Sequence, residues 1–164
     1  DIAPQWAYQC AELPHAAIAT VYLHCKDAGF QGLPRAMVAL HSDATAPAQF
    51  VFDKGALCEQ HGLLAAVVSA CEGERDELTE QVHDQVCEQL ELTNLEVVQT
   101  VVEKRATLAC TPLLDRPEPQ IAENIWACGD YICGPYPSTL EGAVRSGQQV
   151  VTHLHQVAHG QGLH

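Results

Sequence analysis

Gly62-Leu63-Leu64-Ala65-Ala66-Val67-Val68-Ser69-Ala70 is followed, after Cys71, by residues 72–92, and the change of period between the two stretches decides the fold class. The first is a continuous apolar run of strand length, which suits a central strand buried on both faces. The second has no proline and no glycine after Gly73, and Leu78, Val82, Val86 and Leu90 recur every four residues with Cys87 beside them. That spacing predicts an amphipathic helix with one narrow apolar stripe. Working outward, residues 16–25 (AAIATVYLHC), 36–41 and 49–53 read as strands before the helix, and 95–107 (LEVVQTVVEKRAT) as a long strand after it. Four strands ahead of the helix favour antiparallel pairing. The expectation is an α+β fold: a mixed, antiparallel-rich sheet of about five or six strands, with two long helices and the acidic one on a single face of the sheet.

The connections carry their own signals. Residues 26–34 hold two glycines and a proline, Asp53-Lys54-Gly55 reads as a turn, and 111–119 hold three prolines and read as an irregular crossover. A short strand at 124–128 (NIWAC) runs into Gly129-Asp130, and residues 138–159 predict the second long helix. Ser138-Thr139-Leu140-Glu141, preceded by Pro137, has the form of a capping box with Ser138 as the cap. The domain reading is 1–113 as one portion and 114–164 as a C-terminal segment of strand, Gly-Asp loop and capped helix.

At 164 residues and 17.8 kDa the chain is one ordinary domain or slightly more, and 47 % hydrophobic residues exclude wholesale disorder. Eight basic and 21 acidic residues give a net charge of −13. That sign excludes a nucleic-acid partner and a polybasic membrane contact. About half of the excess, a net of −7, lies in residues 71–91 and reads as a solvated helix face. No run is long enough for a spanning helix and no signal peptide is legible, so a cytoplasmic location is expected. The only methionine is Met37, which reads as a processed product or a piece of a longer chain. Eight cysteines, at 10, 25, 58, 71, 87, 110, 128 and 133, form no C-x-x-C. They read as buried free thiols in a reducing compartment, not as a disulfide frame or a zinc site.

The densest chemical signal is Gly129-Asp130-Tyr131 … Gly134 … Pro137-Ser138-Thr139-Leu140-Glu141-Gly142-Ala143-Val144-Arg145-Ser146-Gly147. A strand feeds a Gly-Asp loop and then a capped helix. Gly142, Ala143, Ser146 and Gly147 clear one helix face, so that a large flat group could lie against it. The free N–H groups at the helix start favour negative charge, and Asp130 could accept from ribose-like hydroxyls. A nucleotide or flavin site has these requirements. A helix packed closely on a sheet through its small residues has them equally, and spacing alone leaves both open.

The same residues resemble the C-terminal flavin-contacting signature of the amine-oxidase and phytoene-desaturase superfamily, and most narrowly the hydroxysqualene dehydroxylases. Ile18-Ala19-Thr20-Val21-Tyr22-Leu23, Gln49-Phe50-Val51-Phe52-Asp53-Lys54-Gly55, Lys104-Arg105-Ala106-Thr107 and Ala109-Cys110-Thr111-Pro112 support the narrower match. The resemblance implies a truncated part of an FAD/NAD(P)-binding, amine-oxidase-like fold, in which 1–113 belong to the substrate domain and 114–164 return to the flavin domain. The strand–G-x-G-x-x-G–helix unit that holds the ADP half of FAD is absent from the sequence. The fragment alone is accordingly expected to lack FAD and activity.

Carried over residue by residue, the resemblance implies that Gly129 lets the backbone approach the cofactor and that Asp130 bonds a ribityl hydroxyl or flanks the pyrophosphate. Ser138, Thr139 and Leu140 would turn N–H groups to the pyrimidine edge of the flavin, with Gly142 and Ala143 keeping the helix close to the ring. Ile132-Cys133 followed by Gly134-Pro135 departs from the family pattern, in which threonine is common. The implied substrate is a long isoprenoid, with apolar runs at 16–25, 36–41 and 62–70 serving as core and in part as tunnel wall. Peripheral membrane contact follows only from that lipid. Self-association is expected of the fragment, because the small-residue face of the last helix would lose its partners.

No catalytic acid presents itself, so catalytic residues stay unassigned. His155 and His159 have metal-pair spacing without an acidic third ligand, His24 and His41 read as hydrogen-bonded strand residues, and Lys104 and Arg105 as an exposed strand end. No G-x-S-x-G elbow or Walker loop supports a hydrolase or an NTPase.

Overall fold

The computed structural model describes residues 2–160, with side chains described through residue 157. The chain divides into two compact units, Ala16–Ala106 and Asp1–His15 with Thr107–His164.

The first unit is the α+β layer expected from the period change. β1 (His15–Cys25), β2 (Met37–Ala39), β3 (Phe50–Asp53), β4 (Leu63–Ser69) and β5 (Leu95–Leu108) form one sheet in the order β2-β3-β4-β1-β5. β1–β4, β2–β3 and β3–β4 pair antiparallel. The backbone bonds Lys26 N–H to Asn94 O and Ala109 N–H to Pro14 O, at opposite ends of β1 and β5, run in the same sense. β4 sits between β3 and β1, and Leu64, Ala66 and Val68 alternate into the core.

α3 (Arg75–Gln89) covers one face of this sheet. Asp76 and Glu77 lie in its first turn, where negative charge opposes the helix dipole. Leu78, Val82 and Val86 are buried against Ala19, Val21, Leu23, Val51, Leu64 and Ala66, as the four-residue stripe requires. The stripe also carries Gln85, 3 % exposed. Its Oε1 accepts from Ala48 N–H at 2.8 Å, and its Nε2 donates to Ala48 O at 2.8 Å and His41 O at 2.9 Å. One amide thus supplies the buried end of the 40–49 crossover with the partners its backbone needs.

Several local expectations are corrected. Asp53-Lys54-Gly55 is not a simple turn but the start of α2 (Lys54–Cys58). The Asp53 carboxylate, 2 % exposed, accepts from Gly55 N–H and Ala56 N–H as a helix cap, and from Leu33 N–H at 2.8 Å. The strand expected at 36–41 shrinks to β2, so His41 lies outside it; His41 is exposed and bonded through its main chain to Gln85 and Gln89. The eight cysteines are free, yet only Cys25 is buried, whereas Cys58, Cys110, Cys128 and Cys133 are exposed. Burial raises the thiol pKa values of Cys10 and Cys87.

The second unit holds α1 (Pro4–Ala11), the ribbon β6 (Gln120–Ala122) with β7 (Ile125–Trp126), and α4 (Leu140–Gly160). The expected strand at 124–128 is thus two residues of a separate hairpin. The ribbon stays short because the preceding prolines donate no N–H and the register is irregular between Gln120 and Ala122. α1 was not legible; it is tied down by Trp6 Nε1 to Glu118 O at 2.8 Å, Gln9 Nε2 to Asp115 Oδ2 at 2.9 Å, and an edge contact of Trp6 with Tyr131.

Candidate functional site

The Gly-Asp loop and the start of α4 form one hydrogen-bonded assembly. Gly129 N–H donates to Ser146 Oγ at 3.2 Å, and a Cβ at Gly129 would meet the Tyr131 ring at 2.6 Å. Glycine is required there by its own neighbour. Arg116, which nothing in the sequence pattern singled out, donates from Nη1 to Ile132 O at 2.7 Å and from Nη2 to Gly134 O. Cys133 N–H reaches Pro117 O at 2.9 Å. The stretch that departs from the family pattern is therefore clamped by the proline-rich crossover. Tyr131 has its pKa raised by burial and then by Cys10, Cys128 and Asp130 nearby.

The helix cap lies one residue later than the capping box implied. Thr139 Oγ1 accepts from Gly142 N–H at 3.0 Å and donates to Tyr136 O at 2.7 Å, and Ala143 N–H closes the first helical bond on Thr139 O. Ser138 does not cap, because its φ of 55° is left-handed and its hydroxyl accepts from Leu108 N–H at 2.9 Å. Glu141 does not return to the cap either; it pairs with Arg145 at 2.5 Å, and the Arg145 guanidinium lies 5.0 Å over the Tyr136 ring. Tyr136 is left-handed too, with φ 57°. Two non-glycine residues in that conformation cost about 1–2 kcal/mol each, and the Thr139, Arg145 and Asp130 contacts hold them there.

This geometry sorts the seven residues singled out in the sequence. Ser138 N–H donates to Asp130 O at 3.1 Å, so that donor is engaged. Gly142 is buried, and a Cβ there would stand 2.1 Å from Tyr136 O; the helix is cleared at this point for its own loop. Thr139, Leu140 and Glu141 are exposed, and among the described residues their N–H groups have no acceptor. Ala143 and Asp130 are half-buried. The crevice bounded by Gly129, Asp130, Gly142 and Ser146 measures about 10 Å³, room for no more than one water.

In the Ala16–Ala106 unit, strand parity separates two roles that the sequence left merged. Ala19, Val21 and Leu23 enter the core with α3. Their neighbours point to the opposite face. There Met37, Phe52, Ala65 and Tyr22 stand opposite one another across four strands, and Ala39, Phe50, Val67 and Thr20 form the next row. Met37 is 51 % and Phe50 40 % exposed, whereas Phe52, Val67 and Tyr22 are half-buried. A separate concavity of about 340 Å³ is lined by Phe30, Gln31, Asp53 and His61.

Lys104 and Arg105 are exposed on β5. His153 stacks on Trp126 at 4.1 Å, and the side chain of His159 lies outside the described residues, so the 155/159 pair is not described. Among the described residues no three His, Cys, Asp or Glu side chains gather as a metal site, and no helix is long and apolar enough to cross a membrane.

No family model matches the chain. It is similar to an enzyme named for its action on a squalene derivative. Over 79 residues it is 35 % identical to the hydroxysqualene dehydroxylase of Rhodopseudomonas palustris, covering 46 % of this chain and 19 % of that protein. The chain thus matches about a fifth of the length of this relative, and the two are distantly related.

Proposed function

We propose that the chain is the C-terminal part of an FAD-dependent oxidoreductase acting on a long isoprenoid, through the reductive removal of a hydroxyl from hydroxysqualene to give squalene. The distant relationship to a hydroxysqualene dehydroxylase supports the class. The observation that carries the substrate is the sheet face that α3 does not cover, where two largely apolar rows run across four strands, about 14 Å, with Met37 and Phe50 exposed at one end, a surface suited to a methyl-branched hydrocarbon chain.

Bound FAD in its reduced form would supply the hydride that replaces the hydroxyl and would end oxidised, while the hydroxyl departs with a proton as water. The chain's own contribution is positional. Leu140 and Glu141 N–H groups, at the positive end of α4, would face the electron-rich edge of the ring and stabilise its reduced anion. Asp130 would accept from a hydroxyl of the cofactor chain. The Met37–Tyr22 and Ala39–Thr20 rows would hold the lipid and exclude water.

Flavin absorbance of the natural-length polypeptide, with product analysis on hydroxysqualene, phytoene and an amine, tests this reading. Squalene formation is expected; phytoene or amine turnover would mark a carotenoid-type desaturase or an amine oxidase. A colourless natural-length protein would refute it. The Tyr136 carbonyl against Gly142 favours the second reading, a non-catalytic binding or assembly module whose small helix residues serve packing alone. That reading requires a coding sequence with no G-x-G-x-x-G upstream of Asp1.

A further inference from the structure

We propose that Tyr22 and Thr20, neighbours on the open side of β1, bind the hydroxyl of the lipid and so fix the end of the sheet face at which its alcohol group lies. The proposal rests on the reading of the chain as part of an isoprenoid oxidoreductase. The two rows across the open face do not end alike. Met37, Phe52 and Ala65 lead to Tyr22, and Ala39, Phe50 and Val67 lead to Thr20. The positions on β2, β3 and β4 are all hydrocarbon or thioether, whereas both positions on β1 carry a hydroxyl. Tyr22 and Thr20 stand two residues apart on one side of the strand, about 7 Å from Cα to Cα. Both are half-buried, and among the described residues neither hydroxyl has a hydrogen-bond partner. The side of the sheet under α3 shows the contrast: Thr100 of β5 is 6 % exposed, and its hydroxyl is answered by that of Thr79 at 2.7 Å. A hydroxyl among apolar side chains is stabilised by a partner, and β1 holds two adjacent ones open to a group from outside the sheet.

The rows also specify the chemistry of that group. None of their side chains is charged, in a chain where 18 % of residues are. A carboxylate or a diphosphate would call for a lysine or arginine, and an ammonium for a carboxylate, because a desolvated charge without a partner is costly. The charges at the end of β1 are committed to one another: Lys26 pairs with Glu96 of β5, and Lys26 first, then His24, hold that carboxyl below its ordinary range. His24, next on the same side of β1, lies against Gly62, with its Nε2 3.1 Å from where a Cβ would stand. Two neutral hydroxyls match a neutral alcohol. Tyr22 O–H donates to the alcohol oxygen, and Thr20 Oγ1 accepts from the alcohol O–H. The hydroxyl is the one group of the lipid that gives up hydrogen bonds to water on entering, and β1 returns them. A hydrocarbon in the same place leaves both β1 hydroxyls without a partner, so the face selects the alcohol over its dehydroxylated product.

Binding of hydroxysqualene and of squalene, each presented in the same detergent micelle, to the natural-length protein with its flavin oxidised tests the assignment without turnover. The alcohol is expected to bind more tightly than the hydrocarbon. Tyr22→Phe, which removes one oxygen and keeps the ring, weakens hydroxysqualene about tenfold and leaves squalene within about twofold. Thr20→Val acts in the same direction. Phe50→Ala, at an exposed apolar position of the same face, weakens both lipids alike. Unchanged far-ultraviolet circular dichroism separates loss of a hydrogen bond from loss of the fold. Equal affinity of the unaltered protein for the two lipids overturns the assignment while leaving the isoprenoid reading in place, and so does a preference for the alcohol that survives Tyr22→Phe combined with Thr20→Val. Binding of neither lipid overturns both.

Discussion

Two glycines of α4 respond to alanine with opposite signs. At Gly147 nothing lies within 4 Å of the new methyl, so alanine brings only its helix propensity and a stiffer unfolded chain. The gain is about 0.5–1 kcal/mol. At Gly142 the same propensity gain is offset by a methyl placed 2.1 Å from the Tyr136 carbonyl oxygen, more than an ångström inside ordinary contact. The obstacle is backbone held by the Thr139 hydroxyl and by Arg145, so relief requires the 134–139 loop to move. Overpacking of this kind costs about 1–3 kcal/mol, and losing the Thr139 cap adds about 1 kcal/mol. Gly142→Ala is therefore destabilising by about 1–3 kcal/mol net. Urea unfolding followed by tryptophan fluorescence reads the right unit, because both tryptophans, Trp6 and Trp126, belong to it. If Gly142→Ala proved as stable as Gly147→Ala, with unchanged urea slope, the loop would not need this glycine. Its smallness would then be free to serve a bound ring.

Gln85→Ala leaves the buried Ala48 N–H and C=O without partners and is expected to cost about 2–4 kcal/mol, whereas exposed Gln89→Ala costs under about 1 kcal/mol because water replaces it; equal urea midpoints would refute the clamp. Asp43 is held below the ordinary carboxylate range, first by Thr45 N–H, then by the Thr45 hydroxyl and Ala46 N–H. A lowered folded pKa contributes stability that is present above the unfolded value and is lost as pH falls through the folded one, so Asp43→Asn should flatten the acid limb of the stability curve below about pH 4. Tyr131 should ionise above the ordinary tyrosine range in an alkaline ultraviolet titration, and Tyr131→Phe should remove that late step.

The period change at residue 71 exposed the sheet-plus-helix layer because both periods are long and chemically clean: Leu78, Val82 and Val86 bury as their spacing requires. What escaped notice depends on single polar groups with distant partners. Gln85 sits inside a helix run that counts as polar background, and its partners His41 and Ala48 lie about 40 positions away. Arg116 is a lone cation among prolines, and its acceptors are backbone carbonyls, which leave no trace in a sequence. The cap moved from Ser138 to Thr139 because Leu108 N–H competes for the serine hydroxyl, a contact made by a residue 30 positions earlier. A capping box describes the preference of an isolated helix start, and a buried donor from elsewhere overrides it.

The same reasoning separates evidence for fold from evidence for chemistry at the signature stretch. Gly129, Ser138, Gly142 and Ser146 are each accounted for by a contact inside the unit: the Tyr131 ring, Leu108 N–H, the Tyr136 carbonyl and Gly129 N–H. Matching these residues in another protein therefore indicates a shared local fold and says little about a ligand. The residues left over are informative in the other sense. Thr139, Leu140 and Glu141 expose N–H groups that the loop does not consume, Asp130 half-exposes a carboxylate, and the Met37–Tyr22 row lines a sheet face that α3 does not cover. Chemistry, if this chain contributes to it, belongs to those unspent groups. Substitutions at the exposed Leu140 and Met37 should alter cofactor or lipid binding while leaving unfolding nearly unchanged, whereas variants of the cap Thr139 and of Ser138, Gly142 and Ser146 should alter unfolding first.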